Sequence, residues 1–89
     1  MTHELDHWRR RKYAEVFEDV CARIQHRRET EPDFGIGDLE GLLQSAYVNA
    51  GNDWVGKGPV QETIESATIA AYEHLLAEWR GADEDARQG

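Results

Sequence analysis

The sequence predicts an all-α protein, and three observations support this prediction. Residues 2–30 contain neither glycine nor proline, which leaves room for one long helix. Apolar residues recur at intervals of three and four in three separate segments. No segment alternates apolar and polar residues with the period of two that is typical of a strand. We therefore expect an antiparallel three-helix hairpin or bundle with a long first helix, completed by self-association.

The first predicted helix covers residues 3–29. It ends before Pro32, because proline lacks a backbone N–H and disfavours helical geometry at the preceding residue. At 1.5 Å per residue this helix is about 40 Å long. Its apolar stripe consists of Tyr13, Val16, Phe17, Val20, Cys21 and Ile24, extended upstream by Leu5 and Trp8.

The second predicted helix covers residues 36–50. Gly35 suits the N-cap position, and Asp38 places an acidic group in the first turn, where the helix dipole favours it. Gly41 inside this helix costs about 1 kcal/mol relative to alanine. We interpret Gly41 as a point where another helix approaches closely, and Gly51 as a left-handed terminator.

The third predicted helix covers residues 59–80, beginning at Pro59 and stopping at Gly81. It carries two neighbouring apolar stripes, and this arc is wider than a surface helix of a small monomer requires. Residues 1–80 would form one helical domain, and residues 81–89 a polar, disordered tail. The stripes are Val60, Ile64, Ala67, Ala71, Leu75 and Trp79, and beside them Ile69, Tyr72 and Leu76.

Composition bounds the class of protein. A chain of 89 residues is the size of a single domain. Cys21 stands alone, so a disulfide framework within the chain is excluded and a reducing compartment, the cytoplasm, is expected. The sequence has no apolar run suited to a signal peptide or a membrane span. The net charge is −8, and residues 31–89 contribute three basic against twelve acidic residues.

The segment GNDWVGKGP, residues 51–59, resembles a phosphate-binding loop in spacing only. Such a loop follows a strand and places serine or threonine after the lysine to hold magnesium. Here the preceding segment is predicted to be helical, and Gly58 stands where the hydroxyl is needed. We interpret Trp54 as an apolar plug over the end of the bundle, with a partner contact through Trp54 and Lys57 as the alternative.

A metal site is the second hypothesis. His3 and His7 are four residues apart, the spacing at which two histidines on one helix face can share a metal, and Glu4 and His7 have the spacing of carboxylate di-iron helices. No second Glu-x-x-His follows, so the metal would need ligands from several chains. Our first expectation is therefore a chain with no metal and no cofactor.

Catalysis is not indicated. His26 and His74 are isolated, and neither has a nucleophile and an orienting carboxylate beside it in the sequence. Cys21 lies on the apolar stripe, where packing is its expected role. We therefore predict that the protein is not an enzyme.

The third hypothesis is weak nucleic-acid binding through the basic cluster Arg9, Arg10, Arg11 and Lys12. These residues span more than one helical turn, so they cannot all face one groove. The acidic remainder of the chain repels phosphates. We consider this function less well supported than an interaction between proteins.

The leading interpretation is a small, non-catalytic helical module that self-associates, with a dimer favoured and a different protein as a possible partner. Its core would hold Tyr13, Phe17, Val20, Ile24, Leu39, Leu43, Ile64 and Leu75. The candidate interface residues are Trp54, Ile69, Tyr72, Leu76 and Trp79.

Overall fold

Three α-helices make up the described part of the chain. The computed structural model describes the backbone of residues 2–52 and 58–88, and the side chains of residues 7–51 and 58–82. The helices are α1 (Thr2–Thr30), α2 (Ile36–Asn52) and α3 (Pro59–Gln88). No residue in these described ranges belongs to a strand, which confirms the all-helical class.

The helix starts follow the local signals in the sequence. The backbone N–H of Gly35 donates to Oδ2 of Asp38 at 3.0 Å, so the predicted acidic cap of α2 is confirmed. The N–H of Leu39 donates to the Gly35 carbonyl at 3.1 Å and forms the first helical hydrogen bond of α2. Between α1 and α2, the N–H of Phe34 donates to the Glu31 carbonyl at 3.0 Å and closes a tight turn.

Helix α3 is central, because α1 and α2 both pack against it. Among the described residues, no Cα atom of α1 lies within 8 Å of a Cα atom of α2. The apolar arc of α3 must therefore contact two helices on different sides. Packing within a single chain thus explains why this arc is wide.

Helices α1 and α3 run in the same direction. The ring of Phe17 lies 5.5 Å from the imidazole of His74, and further along both helices Arg28 lies over the ring of Trp79 at 4.0 Å. At their other ends Tyr13 and Thr63 line one cleft. Residue numbers therefore increase in the same direction along α1 and α3.

Helices α2 and α3 run in opposite directions. Glu40 near the start of α2 accepts a hydrogen bond from Arg80 at 2.9 Å. Tyr47, two turns later, donates to Glu73, which precedes Arg80. A rising residue number on α2 is thus matched by a falling number on α3.

The large buried side chains gather at one end of the molecule, which we name the closed end (residues 20–43 and 72–80). The opposite end, the open end (residues 7–13, 44–51 and 58–68), buries only small side chains, Thr63 and Ala67. The radius of gyration of 15.3 Å exceeds the roughly 12 Å expected for a compact chain of this length. The core at the closed end consists of Ile24, Phe34, Leu39, Leu75, Leu76 and Trp79.

Three expectations about glycine need correction. Helix α3 continues through Gly81 to Gln88, where the sequence predicts a disordered tail, and α2 includes Gly51. Neither glycine has the left-handed φ that a terminating glycine adopts, and a glycine within a helix costs only about 1 kcal/mol. A Cβ atom added at Gly41 would meet nothing within 4 Å, so no helix in the described part of the chain approaches Gly41 closely.

Candidate interaction surface

Among the described side chains, the large apolar ones that remain exposed lie at the open end. Each is between 38% and 49% exposed, whereas the core residues of the closed end are at most 7% exposed. Single exposed apolar residues are ordinary on protein surfaces, but here their placement is one-sided. They are Trp8, Tyr13, Tyr47, Val48 and Val60.

Two features of the packing leave these side chains exposed. Helices α1 and α2 have no close Cα approach in the described chain, so neither covers the other. On α3 the buried residues at this end are Thr63 and Ala67, whose small side chains supply little apolar area. The hydroxyl of Thr63 donates to the Pro59 carbonyl at 2.7 Å and is satisfied within its own helix.

A groove runs between α2 and α3, from the open end to Leu42 and Tyr72 of the closed end. The hydroxyl of Thr68 donates to the Ile64 carbonyl at 2.8 Å, so this polar group is already satisfied. The side-chain amide of Gln61 donates to Glu65 at 3.4 Å. We name this site the α2–α3 groove; its apolar lining residues are Leu42, Ala46, Ile64 and Tyr72, and its polar ones are Ser45, Asn49, Gln61, Glu65 and Thr68.

A second surface lies on α1, on the side away from α3. Trp8 and Phe17 are nine residues apart, which places them about 180° apart around the helix. Since Phe17 contacts His74 on α3, Trp8 faces away from α3. We name this shallow site the Trp8 surface; it is lined by His7, Trp8, Arg11, Lys12 and Glu15.

Charge is divided unevenly along the chain. Residues 7–13 contain four Lys or Arg residues and no Asp or Glu, whereas residues 36–82 contain seven acidic and two basic residues. Within the part of the chain that the structure describes, Arg9, Arg10, Arg11 and Lys12 form no ion pair. The arginines of the closed end do form them, in the pairs Arg23–Asp19, Arg27–Glu31 and Arg80–Glu40.

Tyr47 and Cys21 have shifted pKa values. The hydrogen bond from Tyr47 to Glu73 raises the pKa of the Tyr47 hydroxyl, and desolvation and the negative charge of Glu73 act in the same direction. Burial raises the pKa of the Cys21 thiol, as does the nearby charge of Glu78. A raised pKa lowers the thiolate fraction, so Cys21 has the character of a packing residue and not of a nucleophile.

The structure corrects the assignment of Leu76 and Trp79 to an exposed surface. Leu76 is 4% and Trp79 6% exposed, because α1 and the turn before α2 cover this part of α3. Ile69 and Tyr72 are half-buried, and Tyr72 packs against the core. Trp54 lies outside the described residues.

The predicted metal ligands are not brought together among the described side chains. His7 is exposed, and the side chain of His3 lies outside the described residues. Across residues 7–51 and 58–82, no three His, Cys, Asp or Glu side chains are grouped in a way that could hold a metal ion. The metal hypothesis therefore gains no support from the described geometry.

Phe34 is a core residue that belongs to none of the predicted apolar stripes. Phe34 lies in the turn between α1 and α2 and is only 6% exposed, and its ring meets Trp79 edge to face at a centroid distance of 6.1 Å. The signal is positional: Phe34 precedes the cap residue Gly35, and Leu39 is the fourth residue of the helix. Together they occupy the two positions of a hydrophobic staple.

Comparison with known proteins gave no match to a protein-family model, to a curated protein or to a solved structure. In the described chain, none of the three helices combines the length and the apolar character that crossing a membrane requires.

Proposed function

We propose that this chain is a non-catalytic helical interaction module that self-associates through its open end, with a dimer as the favoured assembly. One observation carries the proposal: the large buried side chains are concentrated at the closed end and the large exposed apolar ones at the open end. Joining two open ends would bury these exposed side chains.

Burial of these side chains supplies the driving force. Apolar surface removed from water stabilises an interface by roughly 25 cal/mol per Å². Tryptophan and tyrosine also carry a large share of the energy at many protein interfaces. Trp8, Tyr13 and Tyr47 are three such residues at one end of the molecule.

The remaining parts of the proposal rest on the sequence. The absence of catalysis is proposed because no nucleophile, base and orienting carboxylate stand at a recognisable spacing. A cytoplasmic location is proposed because the single cysteine, Cys21, suits a reducing compartment.

Sedimentation equilibrium over a range of concentrations tests the proposal. We expect the wild-type chain to form dimers, and Trp8→Glu and Val48→Glu to shift it toward monomer, because each places a charge in an apolar interface. Gln25→Glu is the matched control, since Gln25 is an exposed residue of α1 near the closed end. Circular dichroism would verify that each variant keeps its helical content.

Two results would overturn the proposal. The wild-type chain could remain monomeric at every concentration, or the open-end variants could associate as strongly as the Gln25→Glu control. In the second outcome self-association would occur through a different surface.

A second candidate function is nucleic-acid binding through Arg9, Arg10, Arg11 and Lys12. The observation in its favour is that these cations form no ion pair within the described chain. Binding to phosphates would weaken steeply as salt increases. The test is to measure the binding of double-stranded DNA and RNA to the wild-type chain at several salt concentrations. An absence of salt-dependent binding to both would contradict this function.

A further inference from the structure

We propose that the α2–α3 groove of one chain receives the Trp8 surface of a second copy of the same chain. Each copy carries this groove and a Trp8 surface; the Trp8 surface lies at the open end, and the groove extends from the open end to Leu42 and Tyr72. Two copies meeting at their open ends can therefore make this contact twice. The inference depends on the self-association proposed above, and it specifies which residues meet.

The groove has a mixed lining, and its apolar side chains offer contact to an aromatic ring. Leu42 and Ala46 of α2 face Ile64 and Tyr72 of α3 across it. Since the Thr68 hydroxyl is bonded within its own helix, an apolar ring entering the groove leaves that hydroxyl satisfied.

The Trp8 surface has the matching chemistry. Trp8 is 38% exposed and faces away from α3, so no described neighbour across the helix pair covers it. Arg11 and Lys12 flank it. An aromatic anchor with cations beside it suits a groove that offers apolar side chains and a carboxylate.

Charge complementarity identifies a second copy as the occupant. Residues 7–13 carry four cations without an acidic residue, and residues 36–82 carry seven acidic against two basic residues. Within the groove, Glu65 is the carboxylate that Arg11 of the second copy would meet, and it already accepts a hydrogen bond from Gln61. Contact between the two surfaces brings opposite charges together in both halves of the dimer, which favours this pairing over contact between like surfaces.

A charge exchange between these two residues tests the contact. We would measure the dimer dissociation constant of full-length chains carrying Arg11→Glu, Glu65→Lys, or both substitutions. Each single substitution places like charges together in both contacts and should raise the constant roughly five- to thirtyfold. The double variant restores opposite charges and should return to within about threefold of the wild-type constant.

Two matched controls make the same charge reversals at positions outside the proposed contact. Glu62→Lys makes the same change on the same helix, but Glu62 lines the cleft toward α1 and not the groove. Arg23→Glu makes the same change on α1 near the closed end, where Arg23 pairs with Asp19 in a highly exposed position. We expect both controls to remain within about twofold of the wild-type constant.

A disulfide trap provides a test that does not depend on affinity. In a Cys21→Ser background, chains with His7→Cys are mixed with chains with Ser45→Cys, since His7 lines the Trp8 surface and Ser45 lines the groove. Under mild oxidation the mixture should form the mixed disulfide dimer faster than a mixture of His7→Cys with Arg23→Cys. Equal rates in the two mixtures would contradict the contact.

The outcomes separate this inference from the proposed function. Wild-type dimers that are weakened no more by Arg11→Glu or Glu65→Lys than by the controls would overturn the groove contact and leave self-association intact. A double variant as weak as the singles would also overturn it. A wild-type chain that remains monomeric would overturn both proposals.

Discussion

The guanidinium carbon of Arg28 lies 4.0 Å from the centre of the Trp79 ring, where the last turn of α1 meets α3. The preceding residue, Arg27, lies over the ring of Phe34 at 4.5 Å. The two rings meet each other edge to face. Two consecutive arginines thus cover an aromatic pair, and the closed end joins α1, the turn and α3 through these contacts.

We expect Arg28→Ala to reduce the free energy of unfolding by about 0.5–1 kcal/mol, because it removes both the cation–π contact and the aliphatic stem that covers Trp79. Arg28→Lys should cost less, since it keeps the charge. Urea denaturation measures both. Arg23→Ala is the control, because its ion pair with Asp19 is solvent-exposed. Equal losses for Arg28→Ala and Arg23→Ala would contradict the role of Arg28.

The uneven core predicts uneven sensitivity to truncation. Leu75 is fully buried at the closed end, so Leu75→Ala should lower the free energy of unfolding by about 2–5 kcal/mol. Val48 is 49% exposed at the open end, and Val48→Ala should change the free energy of unfolding of the monomer by no more than about 0.5 kcal/mol. Denaturation at a concentration that keeps the chain monomeric compares the two. Similar losses would contradict a core located at the closed end.

The sequence predicts the helical class and the start of each helix, because these depend on local signals such as Pro59 and the Gly35–Asp38 cap. It does not predict which helices pack against the wide apolar arc of α3. Periodicity shows that Leu76 and Trp79 are apolar and share a face, but it does not show which neighbour covers them. In the structure α3 is flanked by two helices, so both residues are buried within one chain.

The candidate surface was the harder part to predict for the same reason. Trp8 is included in the predicted stripe of α1, yet it lies about 180° from Phe17 around the helix and faces away from α3. Tyr13 lies on the same predicted stripe as Ile24, yet only Ile24 is buried. The difference arises from tertiary packing, since α1 meets large side chains at the closed end and only small ones at the open end. Phe34 shows the converse: it belongs to no periodic stripe, and its position before a cap was the available signal.

Gly41→Ala should stabilise the folded chain. The site lies inside α2, has no left-handed φ, and has no atom within 4 Å of an added Cβ. Alanine therefore gains about 1 kcal/mol of helix propensity, which corresponds to a rise of about 4–8 °C in Tm for a domain of this size. Thermal unfolding followed by circular dichroism measures the shift. A lower Tm, or weaker self-association in the variant, would show that another chain packs against Gly41.

The Tyr47–Glu73 hydrogen bond predicts a change of stability at alkaline pH. The folded-state pKa of Tyr47 is raised above its ordinary value of 10.0, so the contribution is fully present below pH 10 and is lost as pH rises through the folded pKa. We expect the wild-type chain to lose more stability than Tyr47→Phe above pH 10, because phenylalanine has no hydroxyl to ionise. Urea denaturation at a series of pH values measures the difference. Parallel pH profiles for the two chains would contradict the hydrogen bond.

Native mass spectrometry of the untagged wild-type chain is the most direct test of self-association through the open end. We expect a dimer at twice the chain mass of 10.2 kDa, without additional mass from a metal or a small ligand. A bare monomer at every concentration would contradict self-association through the open end. A species carrying the extra mass of a metal ion would instead favour the hypothesis built on His3 and His7.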